Sequence, residues 1–204
     1  MKFLLGEKVN MTQVFDSTGD IVPVTLVRVT PNMALQIRTK EKDGYDAIQI
    51  GAGERKAKNI AKPQKGHMKD LGNFRYVREV RLKEPESDER GVQYDVSVFT
   101  EGDIVRVSGI SKSMGFQGVV KRHDFAGAPA THGVKHAHRQ PGSIGGAGRA
   151  GGRVAKGKRM AGRMGGERIS VRNLKIVKID KENNMLAVKG AIPGRRGTLI
   201  EIRG

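Results

Sequence analysis

The chain of 204 residues has no cysteine, no tryptophan and only 4% aromatic residues. Without cysteine there is no disulfide, no thiolate metal site and no cysteine nucleophile, and nothing points to secretion. Long apolar runs are also missing. A bilayer-spanning helix needs about 20 mostly apolar residues, so none is expected. The opening MKFLLGEKVN places only three apolar residues between Lys2 and Gly6, too short a stretch for a secretory signal. No window sets Trp or Phe opposite a cationic face, the usual build of a helix lying on a membrane surface.

What the chain has is positive charge. Lys and Arg number 38 against 21 Asp and Glu, a net charge of +17, and the pI is near 10.4. That balance asks for a polyanionic partner. With the membrane surface set aside, the partner is nucleic acid.

The charge is unevenly placed. Residues 111–168 hold 12 Lys or Arg and two acids, Asp124 and Glu167. They also hold 14 of the 28 glycines, four of the five histidines and only two aromatics, Phe116 and Phe125. Such a stretch cannot bury enough apolar surface to offset the entropy of ordering it alone. It is internal and not low-complexity, which speaks against a disordered tail. We read it as a long extended arm ordered by a folded polyanion. If it runs out and back, each limb has about 29 residues and reaches at most roughly 95 Å.

Several motif matches inside the arm are empty. Gly152-Arg153-Val154-Ala155-Lys156-Gly157-Lys158 fits a phosphate-binding loop, but Arg159 stands where that motif needs a magnesium-binding hydroxyl. Gly146-x-Gly148-x-x-Gly151 fits a dinucleotide fingerprint, but no strand precedes it and no acid follows about 20 residues on. His132, His136 and His138 lack thiolate or acidic co-ligands, and Lys135 and Arg139 would repel a cation. Two acids among these residues supply no acid–base pair. The expectation is a protein with no catalytic group, no metal, no cofactor and no small-molecule substrate. An architectural DNA-binding protein and an RNA-acting enzyme are the rival readings.

Around the arm the sequence reads as β structure. Residues 11–15 and 21–30 suggest a hairpin, as do 33–38 with 45–50, 92–99 with 103–108, and 169–179 with 185–192; 198–202 adds a last strand. Short strands at regular spacing suggest a small barrel. The expected division is 1–110 together with 169–204 as a β-barrel, with 111–168 as the arm. Residues 53–91 read as a small α/β elaboration on the barrel, with Pro63 ahead of a short helix reaching Leu71 and an acidic loop at 83–91.

The arm also carries recognisable words: Gly115-Phe116-Gln117-Gly118-Val119-Val120-Lys121-Arg122-His123, Ala130-Thr131-His132-Gly133, His138-Arg139-Gln140-Pro141-Gly142-Ser143-Ile144-Gly145, and Lys156-Gly157-Lys158-Arg159-Met160-Ala161-Gly162. With Met11-Thr12-Gln13-Val14-Phe15 near the start and Val188-Lys189-Gly190-Ala191-Ile192-Pro193-Gly194 near the end, the chain closely resembles the large-subunit ribosomal protein L-three family, bacterial type. The resemblance implies a mainly β fold, a translation-factor-like β-barrel with a long basic loop inserted between strands. It implies a cytoplasmic, ribosome-bound protein that is not an enzyme, binds 23S rRNA directly and acts early in subunit assembly. The arm would extend toward the peptidyl-transferase centre, and neighbours would include the L-fourteen and L-nineteen type proteins. Two departures stand out. Ala155 replaces an aromatic common in the family, and Gly146-Ala147-Gly148 stands where some members carry a methylated glutamine, so that modification is not carried over.

The residues expected to contact RNA are the bases and imidazoles of the arm: Lys112, Lys121, Arg122, His123, His132, Lys135, His136, His138, Arg139, Arg149, Arg153, Lys156, Lys158, Arg159, Arg163 and Arg168. Arginines fork onto phosphates or stack on bases, lysines act as point charges, and imidazoles stack or hydrogen-bond.

Overall fold

A computed structural model of the chain describes residues 2–16, 18–82, 89–146 and 151–204. Strand β1 (Phe3–Phe15) is long because it serves two partners. Its second half forms a hairpin with β2 (Ile21–Arg28), where Phe15 faces Ile21 and Glu7 faces Arg28. A bulge between Lys8 and Asn10 shifts this register and bends the strand, as bulges do. Gly6 lies just before the bend. A Cβ there would sit 2.6 Å from Val27 Cγ1 and 2.8 Å from the Arg28 carbonyl, so only glycine lets the two strands close up.

The chain then leaves the barrel. Strand β3 (Asn32–Arg38), the single-turn helix α1 (Lys40–Asp43), strand β4 (Ala47–Glu54), helix α2 (Lys62–Met68), strand β5 (Phe74–Arg81) and the short strand β6 (Gln93–Tyr94) follow in order. The four strands form a separate sheet in the order β5-β4-β3-β6. The expected pairing of 33–38 with 45–50 is present, but the pair lies in this second sheet and not in the barrel. Strand β5 lies within the expected α/β elaboration at 53–91, at a place where the sequence marks no strand. Its sequence, FRYVREVR, carries a base or acid at half its positions, and it sits at the sheet edge, pairing only with β4. An edge strand can keep its charges in water, so the alternation that marks a buried strand is lost. Pro63 stands inside the first turn of α2 and not ahead of it; a 3-10 turn at Lys69–Leu71 completes the expected helical stretch. Of the acidic loop expected at 83–91, residues 83–88 lie outside the described residues.

Residues 92–99 also depart from the expected hairpin. The strand there stops at Tyr94 and pairs with β3, not with the strand at 103–108. The cause is local. The Asp95 carboxylate accepts from Ser97 N at 2.8 Å and caps a 3-10 turn at Val96–Val98, an alternative to the ladder that Asp and Ser side chains offer. A hydrogen bond from the Ser97 hydroxyl, together with the one from Ser97 N, holds the Asp95 carboxyl below its ordinary pKa.

The barrel resumes with β7 (Ile104–Ile110). Residues Ser111–Glu167 form a second compact unit containing β8 (Gly115–Gln117), α3 (Val119–His123) and β9 (Gly162–Met164). Then β10 (Arg168–Asp180), β11 (Met185–Lys189) and β12 (Leu199–Arg203) complete the barrel. The closed order is β1-β12-β7-β10-β11-β2. Closure falls to β1, whose residues Phe3 to Glu7 pair with β12 before the strand turns to β2. The two strands that bracket the second unit pair directly, Arg168 opposite Ile110.

One core serves both sheets. Leu4, Leu5, Val107, Ile176, Leu186, Ile200 and Ile202 from the barrel pack in one cluster with Ala34, Ile48, Ile50 and Val80 from the second sheet. Asn32, fully buried at the start of β3, adds a polar tie between the two. Its side chain accepts from Leu5 N at 2.8 Å and donates to the Leu5 carbonyl at 3.0 Å and the Thr30 carbonyl at 2.7 Å. A buried amide so satisfied acts as a strand residue where the backbone changes sheets.

Candidate nucleic-acid interface

The unit at Ser111–Glu167 is a hairpin closed at its mouth. Ser111 N donates to the Glu167 carbonyl and Met114 N to the Met164 carbonyl, each at 2.9 Å. Strands β8 and β9 then pair antiparallel, Phe116 opposite Arg163. Gly165 has φ of 71°, and a Cβ there would collide with the Lys112 carbonyl. Position 165 therefore needs both the left-handed conformation and the missing side chain that glycine supplies.

Beyond the two-stranded sheet, α3 ties the limbs together. Val119 is buried, and Asp124 ends the helix with φ of 58°. Arg122 Nη1 donates to the Met160 carbonyl at 2.8 Å, and the His123 ring nitrogen Nε2 lies 3.1 Å from the same oxygen. Gly162 lies beneath the guanidinium; a Cβ there would stand 2.5 Å from Arg122 Nη1. Further on, Ala128 N donates to the His138 carbonyl at 3.2 Å. Regular structure is otherwise sparse among the described residues from 124 to 161.

The structure sorts the expected contact residues into three groups. Lys112, Lys121, His132, Lys135, His136, His138, Arg139, Arg153, Lys156, Lys158, Arg159 and Arg163 are exposed. None of these bases enters an ion pair among the described residues. Arg122 and His123 are half-buried, with Arg122 Nη1 and His123 Nε2 turned to the Met160 carbonyl. Arg168 belongs to the barrel unit, where it and Arg78 flank Glu201, paired through Glu201 Oε2 and Oε1. Arg149 lies outside the described residues. Exposed apolar side chains accompany the cations: Phe116, Met114, Ile144 and Val154 are 77%, 46%, 41% and 44% exposed. The aromatic ring at Phe116 is a flat surface on which a base could stack.

No group of three or more His, Asp or Glu among the described residues could hold a metal, and no described helix is long and apolar enough to cross a membrane. The comparisons with known proteins give the particular family. The family described as Ribosomal protein L3 matches residues 82–187. The chain is 48% identical over 204 residues to the large ribosomal subunit protein uL3 of Geobacillus thermodenitrificans, covering 99% of this chain and 95% of the relative. It is 46% identical over 200 residues to that of Herpetosiphon aurantiacus, covering 98% and 94%. It is 45% identical over 205 residues to that of Bacillus thuringiensis, covering 100% and 96%. The chain belongs to the ribosomal protein L3 family, whose members are structural proteins and not enzymes.

Proposed function

We propose that the protein is a cytoplasmic constituent of the large ribosomal subunit that binds 23S rRNA directly through Ser111–Glu167. In this reading it enters the subunit early in assembly. The barrel fixes position on the RNA surface, and the hairpin extends toward the peptidyl-transferase centre, supplying charge and shape but no reacting group. The L-fourteen and L-nineteen type proteins are its neighbours.

One observation carries this reading. Nine exposed Lys and Arg of the described hairpin stand against Asp124 and Glu167 alone, and none enters an ion pair within the described chain. Cations left unpaired on a narrow hairpin repel one another until phosphates neutralise them, and the counterions then released drive binding. Glycine-rich backbone adds N–H groups that can meet phosphates without side chains in the way.

The test is co-sedimentation of the tagged protein with large ribosomal subunits at high salt, beside binding to rRNA fragments and to duplex DNA. Retention on subunits and preference for rRNA are expected. Equal binding to duplex DNA would replace this reading with that of a general polyanion binder.

A further inference from the structure

A second cationic surface lies on the barrel unit. Residues 55–69 contain Arg55, Lys56, Lys58, Lys62, Lys65 and Lys69 and not one acid. All six are exposed and none enters an ion pair among the described residues. A charge run of this kind is ordinarily a solvated face. Two features set this one apart.

The first is that the stretch is built into the fold. Ile60 and Met68 are buried at 6% and 3% exposure. Arg90 Nη2 donates to the His67 carbonyl at 3.3 Å, which brings a seventh cation alongside the end of α2. The His67 ring meets the Gln49 side chain on β4. The lysines are therefore displayed by a fixed element whose apolar side is anchored.

The second is Gly66. At 3.6 residues per turn, Lys62, Lys65 and Gly66 fall on one face of α2, and Lys69 follows directly at its C-terminal end. Glycine inside a helix is less stable than alanine, and it needs a reason. The backbone supplies none, since Gly66 is not among the residues of positive φ. Packing supplies none either, because a Cβ at Gly66 would meet nothing within 4 Å. The absent side chain leaves open space beside Lys62 and Lys65 on that face.

We propose that this face of α2 is a second RNA-docking site, separate from the hairpin, which takes the sugar–phosphate backbone of an RNA helix. Lys62, Lys65 and Lys69 bind phosphates, and Gly66 lets the strand approach the helix closely. The inference rests on the reading of rRNA as the ligand. Lysine outnumbers arginine five to one here and no aromatic residue is present in 55–69, which suits positioning by point charges and not base readout. An acidic protein partner is less suited, because the face lacks the apolar centre of a protein interface.

The test uses the full-length protein, a full-length 23S rRNA transcript and a salt series. Three variants are compared with the unaltered chain: the triple Lys62→Gln, Lys65→Gln, Lys69→Gln; the single Gly66→Ala; and the hairpin double Lys156→Gln, Lys158→Gln. The triple should lower the slope of log affinity against log salt by about two to three, since each phosphate no longer neutralised removes about 0.7–0.9. Gly66→Ala should hold or raise the melting temperature yet weaken binding several-fold. That pairing of signs is one that a merely structural glycine would not produce. If the hairpin double loses slope and the triple does not, the α2 face is solvated and the inference falls while the hairpin reading stands. Unchanged affinity in Gly66→Ala removes the close approach. A triple that keeps its RNA slope but loses binding to RNA-free large-subunit proteins would assign the face to a protein partner. If the unaltered chain does not bind the transcript, both readings fall together.

Discussion

Arg122 and Met160 lie 38 residues apart in sequence, yet Arg122 Nη1 donates to the Met160 carbonyl at 2.8 Å. This bond fastens the outgoing limb of the hairpin to the returning one. It assigns Arg122 a different task from the exposed bases around it. Arg122→Ala should accelerate amide exchange at Met114, whose N–H is bonded to the Met164 carbonyl. The acceleration should be about tenfold, for a bond worth about 1.4 kcal/mol. The salt dependence of RNA binding should stay as it was. A lowered salt slope would make Arg122 a phosphate contact and not a tether.

Removing residues 126–154 should leave the barrel folded. The bracketing strands β7 and β10 pair with each other, and loop closure costs only about 0.6 kcal/mol per doubling of loop length. Thermal unfolding of the barrel should keep its midpoint within a few degrees, while subunit assembly or peptidyl transfer is impaired. Loss of cooperative unfolding would show that the hairpin belongs to the barrel's core.

Arg139→Ala and Arg153→Ala should each weaken rRNA binding and lower its salt slope by about one. Both side chains are exposed and without an acidic partner among the described residues. Fragment binding measured across a salt series decides the matter, and an unchanged slope removes the residue from the phosphate contacts.

Gly6→Ala should destabilise the protein by about 1–3 kcal/mol, the usual cost of forcing extra volume into a packed site. The added carbon would press on Val27 Cγ1 and the Arg28 carbonyl, where both are held by strand pairing. Asn32→Ala should cost a similar amount, since it strands the Leu5 N–H and carbonyl in the core. Chemical denaturation measures both.

Acid should loosen the Lys2–Asp103 tie. The hydrogen bond from Lys2 and the backbone bond from Thr100 hold the Asp103 carboxyl below its ordinary pKa. A depressed folded pKa contributes stability above the ordinary carboxylate range, lost as pH falls through the lower folded value. Asp103→Asn should therefore be less stable than the parent at neutral pH, and the gap should narrow as pH drops below about 4. A gap that does not change with pH would mean the carboxylate charge plays no part.

Much of the barrel was legible because its hairpins carry their signals locally. β1 with β2, and β10 with β11, show alternation around a polar turn. The second sheet was not legible as a sheet. Its edge strand β5 keeps charges in water, and its join to the barrel runs through a shared core and the Asn32 amide reaching back to Leu5, contacts that no local pattern announces. The charge of the hairpin was plain from composition. Which cations are committed inside the protein was not, because Arg122 and Arg168 look like their neighbours until Met160 and Glu201 are placed beside them.

The two partners of β1 have a consequence for how the chain is made. β1 completes its pairing only with β12, and the whole cationic hairpin lies between them in sequence. During synthesis the hairpin residues leave the ribosome while the barrel still lacks its closing strand. Contacts so distant in sequence form late. The newborn chain thus shows its stickiest segment to every nearby nucleic acid before its scaffold can hold that segment in place. On the function proposed above, that order of events favours prompt delivery of the new chain to its RNA.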